Sequence, residues 1–313
     1  MTTKVFNDLP PFIKKTFLLG DENTQFARIC AGLNGISRAT AFKYQMGQVV
    51  ELGNGSDQTI SEDQSIAGAT AETIARKPEY NYAQISQHKI DVSYARTSQT
   101  GGLVNIGPEG ESQSPLDFQI DAKLKIVQKN WDWSAINGVA VESTASNVAY
   151  KMGGIFNICD TAQYDDTTNN VFDAGAVALT TAMINSSLAT MFNKGVSLSK
   201  PAFLVNPTMK VKLSELYGQA VDSINVGGVD ITTIHTDFGV YSVVMDTNVP
   251  ADRVGFVDLA KCKPVILPVP NKGMDIVVED LGKGGASDGT QIYAQIGFEF
   301  ESGLAHGYLF NIA

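Results

Sequence analysis

Residues 114–138 have the end residues and the periodicity of one long α-helix. Ser114 is a favoured N-cap, Pro115 suits the first helical position, and Gly138 suits a left-handed C-cap. The apolar residues that share one face of this helix are Leu116, Ile120, Leu124, Val127 and Trp131. At about 1.5 Å per residue the helix would be roughly 35 Å long. An apolar face of that length must pack against a broad surface.

The composition indicates a folded protein that does not bind nucleic acid through its surface charge. The chain has 313 residues, of which 43% are hydrophobic and 18% charged, enough for one large or two ordinary domains. Its formal net charge of −10 argues against the clustered Lys and Arg that bind phosphates. The 29 glycines indicate many turns, as β-rich parts require.

Cysteine usage and hydropathy indicate a protein made in the cytosol. Cys30, Cys159 and Cys262 are far apart and odd in number, so they predict neither a disulfide framework nor a zinc site. We find no apolar core of a signal peptide and no apolar run long enough to span a membrane.

The first third of the chain predicts an arm and a ribbon. Residues 1–38 contain Pro10 and Pro11 and, at 26–33, a possible short amphipathic helix, and we interpret the whole segment as an arm. Residues 39–86 read as a strand, a polar tip and a return strand. Because two-stranded ribbons are marginal alone in water, we expect this ribbon to rest on another chain.

The remainder alternates helices with short strands. Gly153 and Gly154 suit a hinge between domains. The expected elements that follow are a polar loop at 160–173, a helix at 175–194 ended by Gly195, a strand at 202–205, a helix at 206–217, short strands from 226 onward, a glycine-rich loop at 282–289, and a closing pair of strands at 291–302 and 304–312.

We predict no catalytic, cofactor-binding or metal-binding residue. His88, His235 and His306 form no metal-binding pair, and the loop at 282–289 lacks the spacing of a phosphate cradle, so we interpret it as a hairpin tip. Cys262 has Lys261 and Lys263 beside it but no partner base, which favours a plain strand-edge cysteine.

For four further side chains an ordinary structural role is favoured over a functional one. Asp165 and Asp166 read as solvated loop acids, and Trp131 reads as core because it lies on the apolar stripe. Trp133 has no basic patch nearby to support base stacking. An enzyme therefore remains the weakest reading, and a metal or cofactor bound to the purified protein would favour it.

Several short stretches carry a family resemblance. They are Asn81-Tyr82-Ala83-Gln84-Ile85, Lys151-Met152-Gly153-Gly154-Ile155, Leu204-Val205-Asn206-Pro207-Thr208-Met209-Lys210, Thr236-Asp237-Phe238-Gly239 and Gly297-Phe298-Glu299-Phe300-Glu301. Together with the order of elements, they resemble the major capsid proteins of tailed bacteriophages, which have the Johnson fold. The resemblance covers residues 80–313, whereas the arm and ribbon match in layout only. Ala83, where Thr is commoner, and Tyr94-Ala95 depart from the pattern.

The resemblance implies an α+β fold with four parts. They are an N-terminal arm at 1–38, an extended β-hairpin loop at 39–86, a peripheral domain at 87–155 plus 289–313 with a long spine helix, and an axial α/β domain at 156–288. Loops near 222–228 or 282–289 would point at the symmetry axis. The polar face of the spine helix would look toward neighbours or the shell interior; its residues are Lys125, Gln128, Lys129 and Asp132.

The resemblance also implies a function. The chain would self-assemble as hexamers and pentamers into an icosahedral virion shell that encloses double-stranded DNA without sequence-specific binding. The expected partners are a scaffolding protein, a portal and decoration proteins, and synthesis would take place in the host bacterial cytoplasm. The alternative is the shell protein of an encapsulin-type bacterial nanocompartment, which shares the fold but encloses a cargo enzyme.

The two faces of the spine helix lead to a paired prediction. Leu124→Asp places a charge on the apolar face and is expected to prevent folding, because an unpaired buried carboxylate is strongly disfavoured. Lys129→Glu lies on the polar face and is expected to fold, with an effect on assembly at most. Solubility and circular dichroism distinguish the two variants, and a well-folded Leu124→Asp protein would contradict the assignment of the face.

Overall fold

Two β-sheets and a two-stranded ribbon organise the computed structural model of the chain. The structure describes residues 25–50, 76–95, 115–160, 170–195, 197–217, 223–226, 229–270, 272, 275–282 and 285–313. Four predicted features lie outside these residues: the segment around Pro10 and Pro11, the polar tip of the ribbon, the Ser114 cap, and the Asp165-Asp166 pair.

The first sheet has five strands and is built around one long strand. Its members are β1 (Ser37–Arg38), β4 (Gln84–Ser93), β11 (Lys263–Ile266), β12 (Ile276–Leu281) and β13 (Ser287–Glu299). β13 pairs antiparallel with β4 along one side and with β12 and β11 along the other. The β12–β13 pairing makes the loop at 282–289 a hairpin connection, as predicted.

The spine helix α2 (Pro115–Asn137) covers one face of this sheet. Val127 is fully buried against Ile90 and Val92 of β4 and Ile292 of β13. Leu116, Ile120 and Leu124 pack beside them, and Trp131 reaches the next core. The predicted helix, its bounds and its apolar face are confirmed. Alternation along β4 explains the fit, because Ile90 and Val92 point to the same side of the strand.

The second sheet has seven strands in the order β5-β14-β10-β6-β9-β8-β7. The bounds are β5 (Val171–Val177), β6 (Pro201–Val205), β7 (Ser223–Val226), β8 (Val229–Thr236), β9 (Gly239–Met245), β10 (Val254–Asp258) and β14 (Gly307–Ile312). β6 is apolar throughout because both faces of the sheet are buried. Phe203 and Val205 pack in a core with α4 (Thr181–Asn193) and α5 (Pro207–Tyr217), whereas Ala202 and Leu204 point into a second core.

The predicted helix at 175–194 begins too early. Residues 171–177 form β5, which pairs in parallel with β14, and the helix starts only at Thr181. Thr180 marks the boundary, since its side chain accepts a hydrogen bond from the Met183 amide at 3.3 Å. Gly195 has a left-handed φ of 76°, as expected for the residue after the helix. Part of the expected polar loop at 160–173 is therefore strand.

The N-terminal helix α1 (Phe26–Asn34) confirms the amphipathic pattern at 26–33. Phe26, Ile29 and Cys30 are fully buried in the core between the two sheets. The described part of the segment that we interpreted as an arm is therefore a core element. Its apolar face is short in sequence, but it meets residues from both sheets and from α2.

The two strands at the C-terminal end do not form a pair. β13 belongs to the five-stranded sheet and β14 to the seven-stranded sheet, so the chain crosses between sheets at 300–306, through a 3₁₀ turn at Gly303–Ala305. The closing pair that the sequence predicts is wrong. Turn residues such as Gly303 indicate a change of direction but not which sheet receives the next strand.

Two glycines expected to act as a cap and a hinge are instead sites of close packing. Gly138 is not left-handed, and a Cβ there would lie 2.4 Å from the Ser134 carbonyl oxygen and 2.5 Å from that of Met152. A Cβ at Gly154 would lie 2.7 Å from the Gly138 nitrogen and from the Ile136 carbonyl. The segment before α3 (Ile155–Asp160) thus locks against the end of the spine helix.

Gly154→Ala is expected to lower the free energy of unfolding by at least about 2 kcal/mol, because the contacts are with main-chain atoms that cannot turn away. Gly282→Ala is the matched control, since nothing lies within 4 Å of a Cβ at that exposed position. Urea unfolding of the two variants tests the difference. Equal stability would show that the Gly138–Gly154 contact is not tight.

Candidate functional site

The base of the ribbon is fixed to the end of β13 by side-chain hydrogen bonds. The ribbon strands are β2 (Lys43–Val50) and β3 (Arg76–Tyr82). The Tyr44 hydroxyl donates to the Phe298 carbonyl at 2.8 Å and accepts from the Phe298 amide at 2.9 Å. Burial raises the pKa of Tyr44 strongly, which keeps this hydroxyl protonated and able to donate. A Cβ at Gly297 would meet the Tyr44 hydroxyl at 2.6 Å, so glycine leaves room for it.

Asn81 joins the ribbon to two other segments. Its fully buried amide nitrogen donates to the carbonyls of Phe298 at 2.7 Å and Gly153 at 3.1 Å, and its oxygen accepts from the Gly153 amide at 2.8 Å. Trp131 of the spine helix donates from Nε1 to the neighbouring Gly297 carbonyl at 2.9 Å. The ribbon, the spine helix and the Gly153-Gly154 segment therefore meet at one point of β13.

The outer side of the ribbon base carries an aromatic and charged cluster. Lys43 pairs with Glu142 at 3.0 Å, and the Tyr82 hydroxyl donates to the same carboxylate at 3.1 Å. The hydrogen bond to Glu142 raises the pKa of Lys43 and, reciprocally, lowers that of Glu142. Tyr150 stacks on Phe42 with ring centroids 5.3 Å apart. The base of the ribbon thus rests on the chain's own body. The expectation that the ribbon rests on another chain stays a prediction, and its polar tip lies outside the described residues.

Two buried carboxyl groups hold the first turn of α1. Asp246 accepts from the amides of Gln25 at 2.7 Å and Phe26 at 3.1 Å, and Asp132 accepts from the amide of Ala27 at 2.7 Å. The first amides of a helix have no acceptor within the helix, and carboxylates are favoured at this end because of the helix dipole. The prediction that Asp132 looks toward neighbouring subunits or the shell interior is wrong, because the residue is only 2% exposed and its carboxylate contacts α1.

The two carboxyl groups lie close together, because both contact the first turn of α1 and Asn248, and their repulsion keeps a proton on Asp132. Burial first, and then the charge of Asp246, raise the pKa of Asp132 to about 8. Asn248 completes the site by donating from its side chain to Asp132 at 2.8 Å and from its amide to Asp246 at 2.8 Å. Two acids in different parts of a sequence give no local signal, and only the fold brings them together.

Three of the residues singled out in the sequence, His306, Cys262 and Trp131, lie in the core. His306 is fully buried, and its ring bonds the Phe300 carbonyl at 2.9 Å and the Asp258 amide at 3.2 Å. Burial lowers the pKa of His306 to about 4, so the ring is neutral and braces the crossing between the sheets. Cys262 is fully buried and burial raises its pKa, opposite to what a reactive thiol needs. Trp131 is core, whereas Trp133 is 52% exposed.

Neither a metal centre nor a membrane span emerges from the part of the chain that the structure describes. No three His, Cys, Asp or Glu side chains there are placed to hold a metal ion. None of the described helices is both long enough and apolar enough to cross a bilayer.

The family comparison decides what the chain is. The family model of the SU10 major capsid protein matches residues 1–313, the whole length of the chain. The chain belongs to this family. It is a major capsid protein, a structural subunit of a phage head shell. The resemblance read from the short stretches at 81–85, 151–155, 204–210, 236–239 and 297–301 is confirmed at the level of the family.

Solved structures share the fold of this SU10-family capsid protein at low sequence identity. The cyanophage A-1(L) capsid asymmetric unit matches with a TM-score of 0.66 and 16% identity, over 96% of this chain and 97% of that one. The capsid of the native GTA particle matches at 0.62 and 10%, over 97% and 96%. The holo-SrpI encapsulin complex from Synechococcus elongatus PCC 7942 matches at 0.61 and 12%, over 97% and 92%. No curated protein sequence matches the chain.

The Asp132–Asp246 pair makes stability depend on pH. The folded state keeps a proton on Asp132 up to about pH 8, whereas the unfolded chain releases it near pH 4. The stabilisation is therefore complete below about pH 4 and is lost as the pH rises through about 8. Asp132→Asn has no such proton, so wild type should lose on the order of 3–5 kcal/mol relative to the variant between pH 4 and 9.

Denaturant unfolding at several pH values measures this difference. Asp121→Asn, at an exposed position on the same helix, controls for the removal of one negative charge. A constant difference between wild type and Asp132→Asn across the pH range would rule out a proton held by the pair.

Proposed function

We propose that copies of the chain assemble as hexamers and pentamers into an icosahedral head shell around double-stranded phage DNA. The observation that carries the proposal is the match of the SU10 major capsid protein family to all 313 residues. The ribbon supports it, because within the described residues β2 and β3 pair only with each other. A two-stranded ribbon with no further strand beside it is suited to lie across a neighbouring subunit.

The charge of the subunit fits a container for DNA. A net charge of −10 on each copy disfavours adhesion to the packaged phosphates, so the DNA is enclosed without being bound in a sequence-specific way. Many weak contacts between subunits let assembly reverse and correct errors.

We also propose which parts of the chain contact neighbouring subunits and which form the two domains. Residues 1–38 and 39–86 would reach neighbouring subunits, 87–155 with 289–313 would form the peripheral domain, and 156–288 the axial domain. The packing of α2 on β4 and β13 supports a peripheral unit, and the α4–α5 core supports an axial one. Several elements cross this division. Helix α1 is buried between the sheets, and β14 lies in the seven-stranded sheet. Strands β11 and β12 fall within 156–288 but pair with β13 in the five-stranded sheet.

The proposed partners are a scaffolding protein, a portal and decoration proteins, with synthesis in the host bacterial cytoplasm. The second candidate is an encapsulin-type shell, which the likeness to the SrpI encapsulin complex favours. The two functions differ in what closes the shell. An encapsulin-type chain would form closed particles by itself, whereas a phage head protein would need scaffolding and portal proteins for particles of uniform size.

Expression of the full chain, alone and together with the scaffolding and portal proteins of its own phage, tests both functions. We expect light scattering and negative-stain microscopy to show capsomers or irregular particles for the chain alone and uniform shells for the co-expressed set. Uniform closed shells from the chain alone would favour the encapsulin-type function. A monomer of 33.5 kDa under every condition would contradict both.

A further inference from the structure

Two of the three cysteines lie on facing elements of the core between the sheets. Cys30 is in the middle of α1, and Cys262 lies between the 3₁₀ turn Leu259–Lys261 and β11. Both are fully buried and belong to the same apolar core. They are 262 − 30 = 232 positions apart in the chain, so only the fold brings them together.

Contacts of α1 hold the helix face that carries Cys30 against the segment that carries Cys262. Asn34 follows Cys30 by four positions and therefore lies on the same helix face. Its side-chain amide donates to the carbonyl of Cys262 at 2.6 Å and to that of Leu259 at 2.7 Å. One turn earlier on that face, Cys30 lies in the same apolar core as Cys262.

Main-chain pairing fixes this alignment. Directly after α1, β1 pairs in parallel with β11, and Ser37 lies opposite Val265. The helix and the strand that carry the two thiols are thus held together on the C-terminal side of both cysteines. A disulfide forms without strain only between residues whose backbones are already close and suitably directed.

We propose that Cys30 and Cys262 form a disulfide when the protein meets an oxidising environment, which joins α1 covalently to β11. The oxidant is a small soluble disulfide. One protein thiolate attacks it, forms a mixed disulfide and releases one small thiol. The second protein thiolate then attacks the protein sulfur of that mixed disulfide and releases the other small thiol. Two protein thiols are oxidised, one small disulfide is reduced to two thiols, and each protein S–H proton goes to a departing thiolate.

Burial sets the rate and the timing of this reaction. Burial, followed by the neighbouring Cys30 thiol, raises the pKa of Cys262, so little thiolate exists in the folded chain and oxidation is slow. The reducing cytoplasm keeps both thiols reduced. The bond then forms after assembly, when the particle has left the cell. This timing rests on the proposed function, whereas the disulfide itself does not.

The bond would close a ring of 232 positions around most of the protein. Long rings restrict the unfolded chain most. The bond also holds the middle of α1, whereas Asp132 and Asp246 hold its first turn, so the helix could no longer detach. Cys159 lies in the same core on α3 and is the competing partner.

The test uses the purified full chain, incubated for days with oxidised glutathione and no denaturant. Unreacted thiols are then blocked during unfolding, and peptides are mapped by mass spectrometry without reduction. We expect one linked pair of peptides containing Cys30 and Cys262, lighter by two hydrogens than the separate peptides. The melting temperature should rise by about 5 °C or more and return after reduction.

Cys159→Ala is the matched variant and should keep the linked pair, whereas Cys30→Ala and Cys262→Ala should lose it together with the rise in melting temperature. A linkage through Cys159, a glutathione adduct that never closes, or three free thiols would each overturn the proposal. Each of these three outcomes can be observed with the wild-type chain, so the test does not depend on whether a variant folds. They are independent of assembly, so failure to form particles contradicts the proposed function and leaves the disulfide result intact.

Discussion

The main-chain polar groups at the end of β13 impose the requirement on which the rest of the structure depends. At Gly297 and Phe298 the strand lies inside the molecule, where an unpaired carbonyl or amide is costly. Tyr44 and Asn81 of the ribbon and Trp131 of the spine helix satisfy these groups. Tyr44 and Trp131 are large side chains with a polar end, so each fills the core and also completes a hydrogen bond. Asn81 is small and polar, and it supplies both a donor and an acceptor. Ribbon, helix and sheet are thereby set in one arrangement.

This arrangement suits a protein whose function is to be one piece of a shell. The family match identifies a capsid subunit, and the structure shows what such a subunit needs. The spine helix stiffens one sheet, two helices cover the outer face of the other, and α1 fills the space between the sheets. Precise contacts between copies require that each copy has one shape, which buried and satisfied polar groups enforce.

The sequence predicted features whose causes are local. The spine helix follows from periodicity and from Pro115. The strand predicted at 202–205, which the structure has at 201–205, follows from an unbroken apolar run. The sequence did not predict features that depend on contacts between segments far apart in the chain. Asp132 lies on the polar side of a regular helix and is buried only because α1 and the turn after β9 cover it. Val171–Val177 is a strand because β14 lies beside it, although Gly175 and Ala176 disfavour one. The sequence singled out the stretch at 81–85, which contains one residue of the site. No sequence pattern predicted that Asn81 joins the ribbon to β13 and to Gly153.

The crossing between the sheets has a mechanical consequence. Glu79 of the ribbon accepts a hydrogen bond from the Gly303 amide at 3.0 Å, and Asn170 donates to the carbonyls of Leu304 and His306. A force applied to the ribbon is therefore transmitted straight to the link between the two halves of the subunit. Because that link is clamped on several sides, the subunit resists bending there, and strain in a shell passes to the contacts between copies.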